Sequence, residues 1–157
     1  MNKKKVIAKV ISQRKIGEGI YDMWIETDLA EDAGAGQFIC VYPRDKSTLL
    51  PRPISICEAD RANGELRIVY RVAGKGTEEF SHYAAGEDIG ILGCLGNGFP
   101  LKAAEGKKVF LMGGGIGIPP MVQLAKDLRA EGKAAEVKVI AGYRDGQLFL
   151  KEDMEKY

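Results

Sequence analysis

Cysteine is sparse in this chain: Cys40, Cys57 and Cys94 are three among 157 residues, odd in number and far apart. That spacing excludes a disulfide framework and the clustered arrangement of a zinc or iron–sulfur site, so the thiols read as small buried apolar groups. Histidine is scarcer still, with His82 alone, which leaves no histidine-based metal site or proton-relay pair within the chain. Long hydrophobic runs are missing as well. None approaches the ~20 residues a bilayer span requires, and the polar start Met1-Asn2-Lys3 leads into no signal-peptide core, so no membrane association and a cytoplasmic setting are expected. Charge of one sign is lacking too: 23 basic residues face 22 acidic ones, which gives no electrostatic case for nucleic acid. The run Lys3-Lys4-Lys5 reads as a solvated amino-terminal fringe.

What is present is an ordinary globular share of apolar residues, 45%, arranged in two patterns. From Lys5 to Arg71 the apolar residues form short runs rich in β-branched types: Val6 to Ile11, Ile20 to Ile25, Gln37 to Tyr42, Pro53 to Cys57 and Leu66 to Val72. Turn-forming clusters such as Gly34-Ala35-Gly36 and Ala62-Asn63-Gly64 separate them. Many strands at close spacing predict a small antiparallel, Greek-key-like barrel. Thr77 to Ala84 reads as one short helix capped by Thr77, and Asp88 to Leu92 as a returning strand.

Past Leu101 the period changes. A polar linker, Lys102 to Lys107, precedes a strand over Lys108 to Met112, a glycine loop, a helix from about Pro119 to Glu131 and a strand over Val137 to Gly142. This is a βαβ unit with a parallel crossover, in which the prolines fall where the first helical turn has no use for its N–H groups. The expected division is a barrel over residues 1–101 and a partial Rossmann-like α/β unit over residues 107–157. Two strands and one helix cannot cover both faces of a parallel sheet. The chain is therefore expected to be part of a longer protein, with self-association through the incomplete sheet as an alternative way of covering it.

Two motifs carry chemistry. Arg52-Pro53-Ile54-Ser55 places a guanidinium, whose forked donors suit phosphate, on a stiff extended backbone. Ser55 can offer its hydroxyl and amide to the edge of an isoalloxazine ring as a hydrogen-bonding group, since nothing beside it activates a nucleophile. Gly113-Gly114-Gly115-Ile116-Gly117 joins strand to helix, where backbone must approach something closely, a pyrophosphate or a neighbouring strand. It has neither Walker spacing nor a following Lys-Ser/Thr and is only loosely like Gly-x-Gly-x-x-Gly. Val69-Tyr70-Arg71 running into Gly74-Lys75-Gly76-Thr77 offers a second place for a diphosphate. A plain strand start at Arg52 and a plain strand–turn–helix connection at Gly76 stay open as readings of these residues alone.

The ordered set Leu50-Pro51-Arg52-Pro53-Ile54-Ser55-Ile56, Tyr70-Arg71-Val72-x-Gly74-x-Gly76-Thr77, Gly93-x-Leu95-Gly96-Asn97-Gly98-Phe99 and Gly113-Gly114-Gly115-Ile116-Gly117-Ile118-Pro119-Pro120 resembles the ferredoxin–NADP reductase superfamily. Within it, the chain looks most like the electron-transfer subunits of two-subunit, NAD-linked bacterial dihydroorotate dehydrogenases. The resemblance implies an FAD-binding barrel, an NAD-binding α/β unit and a carboxy-terminal [2Fe-2S] site. It implies an oxidoreductase subunit of pyrimidine biosynthesis that passes electrons from a catalytic dihydroorotate dehydrogenase partner through [2Fe-2S] and FAD to NAD. By the same resemblance Arg52, Pro53, Ile54 and Ser55 bind the flavin and its phosphates, and Val69, Tyr70 and Arg71 line the adenine dinucleotide. Gly76 and Thr77 hold the pyrophosphate, while Gly113, Gly114, Gly115 and Gly117 face NAD.

Two departures qualify the match. Cys94 stands where related reductases often have proline, which is expected to soften that turn. The family's closely spaced iron–sulfur cysteines are not in this chain and are expected beyond Tyr157, so the chain alone is expected to be inactive in electron relay. An NADPH–ferredoxin oxidoreductase-type subunit of the same superfamily, whose members more often carry a Pro-Leu-Thr variant of the Arg52 motif, is one alternative. A binding or scaffold module that kept the barrel and holds no cofactor is the other.

Overall fold

In the computed structural model, which describes residues 4–157, six strands close into a barrel: β1 (Lys4–Gly17), β2 (Ile20–Glu26), β3 (Phe38–Tyr42), β4 (Arg52–Asp60), β5 (Glu65–Arg71) and β6 (Asp88–Leu95). The order around the barrel is β1-β2-β5-β4-β3-β6, and every neighbouring pair is antiparallel. This is the Greek-key-like arrangement that the short β-branched runs predicted. β1 closes it by pairing its first part with β6, Lys4 opposite Gly93, and its second with β2, Lys9 opposite Glu26. A register shift between Val10 and Ser12 bends the strand where it changes partners. Met1-Asn2-Lys3 lies outside the described residues. The basic run is otherwise no fringe, because Lys4 and Lys5 pair in β1 and the Lys5 ammonium sits 4.0 Å from the Tyr42 ring centroid.

Inward-facing side chains fill the barrel, among them Met23, Ile25, Ile39, Ile56, Ile68 and Ile91. A barrel this small has room only for such side chains. On β5 the inward set is Leu66, Ile68 and Tyr70, yet the outward residues Arg67 and Val69 are just as buried. Strict alternation predicts a wet outer face there, but the second part of the chain packs against it.

That part begins with β7 (Lys108–Gly114), continues through a helix, and returns as β8 (Glu136–Gly142), parallel to β7 with Lys108 opposite Glu136 and Gly114 opposite Gly142. The helix between them, here α2 (Pro119–Glu131), follows α1 (Lys75–Phe80) in chain order. α2 opens on two prolines and ends at Gly132, whose φ of 61° is the left-handed cap expected of glycine. Val109, Leu111, Val137 and Val139 meet Leu124, Ala125 and Leu128 of α2. On the opposite face Phe110, Met112 and Ile140 are 57, 69 and 47% exposed.

One local expectation is corrected, and one element is added. The first helix covers Lys75–Phe80 rather than 77–84, and Thr77 caps it from inside: its Oγ1 accepts from the amides of Ala73 at 2.9 Å and Gly74 at 3.2 Å. The residues after β8 add a short helix, α3 (Lys151–Lys156), which docks on the barrel. Cys57 and Cys94 are buried as expected, whereas Cys40 is only half-buried. Cys94 lies within β6, so it softens no turn. Burial pushes its thiol up to about 11.

Candidate functional site

β4 begins at the Arg52 motif, and its alternation sets which side chains a ligand could meet. Ile54 points into the barrel at 7% exposure, while Pro53 and Ser55 face out. Arg52 is half-buried; its Nη1 donates to the Leu50 carbonyl, and its Nε lies 2.9 Å from where a Cβ on Gly76 would sit. The fold therefore brings Arg52 and the Gly76-Thr77 turn, 24 residues apart in the chain by number, into direct contact, and Gly76 is what leaves room for the guanidinium. The loop leading into Arg52 is held from below. Glu79 accepts from the amides of Arg44 at 2.6 Å and Asp45 at 3.1 Å, and the Tyr83 hydroxyl donates to it at 2.6 Å. Burial raises the Glu79 pKa, but these three hydrogen bonds outweigh it and the net shift is downward.

Val69, Tyr70 and Arg71 divide differently from the expectation that all three line a ligand. Val69 and Tyr70 are both 2% exposed: Val69 packs toward α2 and α3, and Tyr70 stacks on Tyr21 inside the barrel wall with its hydroxyl donating to Gln13 at 2.6 Å. Burial pushes the Tyr70 phenol far up, so it stays a neutral hydroxyl. Arg71 alone presents its side chain to solvent.

The glycine string splits into two kinds of position. A Cβ on Gly113 would lie 2.9 Å from the Gly117 carbonyl oxygen and from Ile118 Cα, so this glycine is required for the turn to pack on itself. Gly114 and Gly117 have nothing within 4 Å of an added Cβ, which leaves their backbone open to a close-fitting ligand. Gly115, at φ 52°, has the Arg71 guanidinium 3.8 Å from its Cβ position. Arg71 and Gly115 are thus adjacent walls of a cleft of about 420 Å³ between barrel and α/β sheet. Tyr143 and Arg144, just beyond β8, complete it, at the carboxyl ends of the parallel strands where open α/β sheets take their ligands. The sequence reading passed over Arg144; its signal was a cation placed immediately after the second parallel strand. The expected residues thus gather as two groups, Arg52 with Gly76 and Thr77, and Arg71 with the glycine loop, while Val69, Tyr70 and Ile54 supply packing.

These residues fit a flavin dinucleotide and a nicotinamide nucleotide in kind: a guanidinium seated on a glycine, an outward Ser55, and a glycine turn whose Gly115 borders a cleft lined by Arg71 and Arg144 together with Glu18 and Asp145. Among the described residues no group of three or more His, Cys, Asp or Glu could hold a metal ion, and no helix is long and apolar enough to cross a membrane.

No protein-family model matches the chain. Among curated proteins it is 38% identical over 151 residues to the dihydroorotate dehydrogenase B (NAD(+)) electron transfer subunit of Listeria welshimeri, covering 95% of this chain and 59% of that protein. It is 42% identical over 145 residues to the subunit of the same name from Streptococcus thermophilus, covering 92% of this chain and 56% of that one. The chain thus spans under three fifths of the length of these relatives. Among solved structures, an NADH-dependent reduced ferredoxin-NADP oxidoreductase superposes with a TM-score of 0.83 at 27% identity, over 96% of this chain and 54% of that one. A ferredoxin NADP+ reductase from Neisseria gonorrhoeae with bound FAD and NADP superposes with a TM-score of 0.82 over 99% of this chain and 64% of that one; at 18% identity it speaks for the fold alone. The chain is a homologue of the electron transfer subunits and has the ferredoxin–NADP reductase fold.

Proposed function

We infer that this chain is the flavin- and nicotinamide-binding part of an electron-transfer subunit, in which residues 1–101 bind FAD and residues 107–157 begin the NAD-binding unit. The supporting observation is the seat of Arg52 on Gly76, because a half-buried guanidinium held against a glycine at the start of a helix suits the diphosphate of a dinucleotide. Arg52 and Thr77 fix the diphosphate end, Ser55 hydrogen-bonds the ring edge, and Gly114 to Gly117 with Arg71 receive the nicotinamide nucleotide. Bound flavin supplies two-electron chemistry, exchanging hydride with the nicotinamide; the protein's part is to bind and align the two and exclude water between them. Homology at 36–42% identity supports dihydroorotate, oxidised in a separate catalytic subunit, as the electron source; the [2Fe-2S] relay between them is implied by the family resemblance alone, and the described residues of this chain offer no ligand group for it.

Fluorescence titration tests this directly: the chain takes up FAD in preference to FMN, and Arg52→Ala weakens FAD binding by about 1.5–3 kcal/mol, the range for hydrogen bonds to charged groups. A chain that ignores both flavins ends the reading. The 27% identical solved structure favours a second reading, a subunit serving ferredoxin and NADP(H). Capture of a dihydroorotate-oxidising partner rather than a ferredoxin-dependent one separates the two.

A further inference from the structure

β4 and α2 each carry a cofactor motif at one end and a mutual anchor a few residues further on. On β4 the motif is Arg52 to Ser55 and the anchor is Glu58 and Ala59; on α2 the glycine loop ends at Ile118 and the anchor is Gln123 and Lys126. Gln123, fully buried, accepts from the Ala59 amide at 2.6 Å and donates to Asp127 at 2.7 Å. Lys126 Nζ donates to Glu58 at 2.9 Å and to the Ala59 carbonyl at 3.1 Å. Glu58 also accepts from the Tyr157 hydroxyl at 2.8 Å and from Arg67 at 3.4 Å. Arg67, its side chain 4% exposed, forks onto Asp22 at 2.8 and 2.9 Å and reaches Asp153 of α3 at 2.5 Å. Arg14 closes the cluster on Asp22 at 3.0 Å.

Ion pairs at buried partners recover little net stability after desolvation, so the two that cross from the barrel, Glu58 to Lys126 of α2 and Arg67 to Asp153 of α3, are better explained by the geometry they enforce. A slip of one residue along β4 would carry the glycine loop about 3.3 Å. A misplacement of about 1 Å between reacting groups already costs on the order of 100-fold in rate.

We propose that Gln123, Lys126, Glu58 and Arg67 are positioning residues that hold the glycine loop in register with the Arg52–Ser55 motif, and so set the approach of a nicotinamide to a flavin ring. The role in hydride transfer rests on the function proposed above; the anchoring does not. None of these residues touches the cofactor motifs, so they act through β4 and α2.

The test uses the full chain with Lys126→Met and, separately, Asp153→Asn, both at the partly exposed margin of the cluster, and Lys126→Arg as the conservative control. In the protein without added cofactor, amide exchange of α2 should quicken at least about tenfold in the first two variants while barrel amides keep wild-type protection. With FAD bound, affinity for FAD should stay within about twofold, while reduction of the flavin at saturating NADH slows at least about tenfold. Lys126→Arg should restore both. Unchanged α2 exchange overturns the proposal, as does a reduction rate within about twofold of wild type, or loss of barrel protection in both variants, which would make the cluster a general stabiliser. A wild-type chain that binds no FAD, or whose flavin NADH does not reduce, defeats the function proposed above, and the exchange experiment still decides the anchoring.

Discussion

The barrel and the β7–β8 sheet are built from similar β-branched strands and end in opposite conditions. In the barrel six antiparallel strands close on themselves, so no edge is left and every inward side chain meets another. In the sheet two parallel strands have one helix, and Phe110, Met112 and Ile140 remain exposed on the other face. Strand composition is the same currency in both; closure and coverage decide whether it yields a finished core. The barrel completes its core by itself, while the sheet is covered on one face by α2 and meets the barrel through α2 and α3.

Four substitutions or conditions probe that contrast, beginning with the largest expected effect. Ile68→Ala, at 1% exposure in the barrel interior, should cost about 2–5 kcal/mol in urea unfolding. A loss below about 1 kcal/mol would mean that the barrel tolerates cavities as an open sheet does, and the distinction would fail. Gly113→Ala drives a methyl against backbone at 2.9 Å and should cost about 1–3 kcal/mol, read as faster exchange in β7 and α2 with the barrel strands unaffected. Equal loosening of the barrel would show that the two parts are one cooperative body.

Acid should act at their junction. Burial raises the Glu58 pKa, yet hydrogen bonds from Lys126 and Tyr157 outweigh it and hold the carboxyl below its ordinary 4.5. With a depressed folded-state value, its contribution is complete above pH 4.5 and is lost as pH falls below that through the folded-state pKa. Melting temperature measured from pH 6 downward should therefore drop more steeply in wild type than in Glu58→Gln, and parallel curves would remove Glu58 from the junction. The smallest effect belongs to Phe110→Ser, which at 57% exposure should change stability by less than about 0.5 kcal/mol. Light scattering on the same variant should fall if the bare sheet face drives self-association; a stability loss of several kcal/mol would mean that the face is already covered.

Much of the architecture could be read from the residues because its signals are local. Runs such as Ile20 to Ile25, turns at glycine and asparagine, and the prolines opening α2 each mark an element within a few positions. The first helix was misplaced because Thr77 was read as the outer cap, whereas its hydroxyl turns back onto Ala73 and Gly74, leaving Gly74 as the boundary. α3 was missed since a six-residue polar stretch has no helical period to detect; it is held by Asp153 on Arg67 and by Phe149 and Leu150 against Ile20 and Val69. The motif residues stood out one by one, but their grouping did not. That Arg52 meets Gly76 while Val69 and Tyr70 turn away from solvent follows from strand pairing across the barrel.

By itself the sequence determined the order and type of nearly all elements, the glycine turn between strand and helix, and the resemblance that names the cofactors, since periodicity, turn chemistry and motif order are properties of neighbours in the chain. Only the tertiary structure decided which outward strand residues are dry, which glycines serve packing rather than ligand approach, and that Arg67 gathers carboxylates from β2, β4 and α3. Those outcomes depend on which surfaces meet after the barrel has closed, and burial and charge pairing between distant segments leave no periodic mark on the chain that forms them.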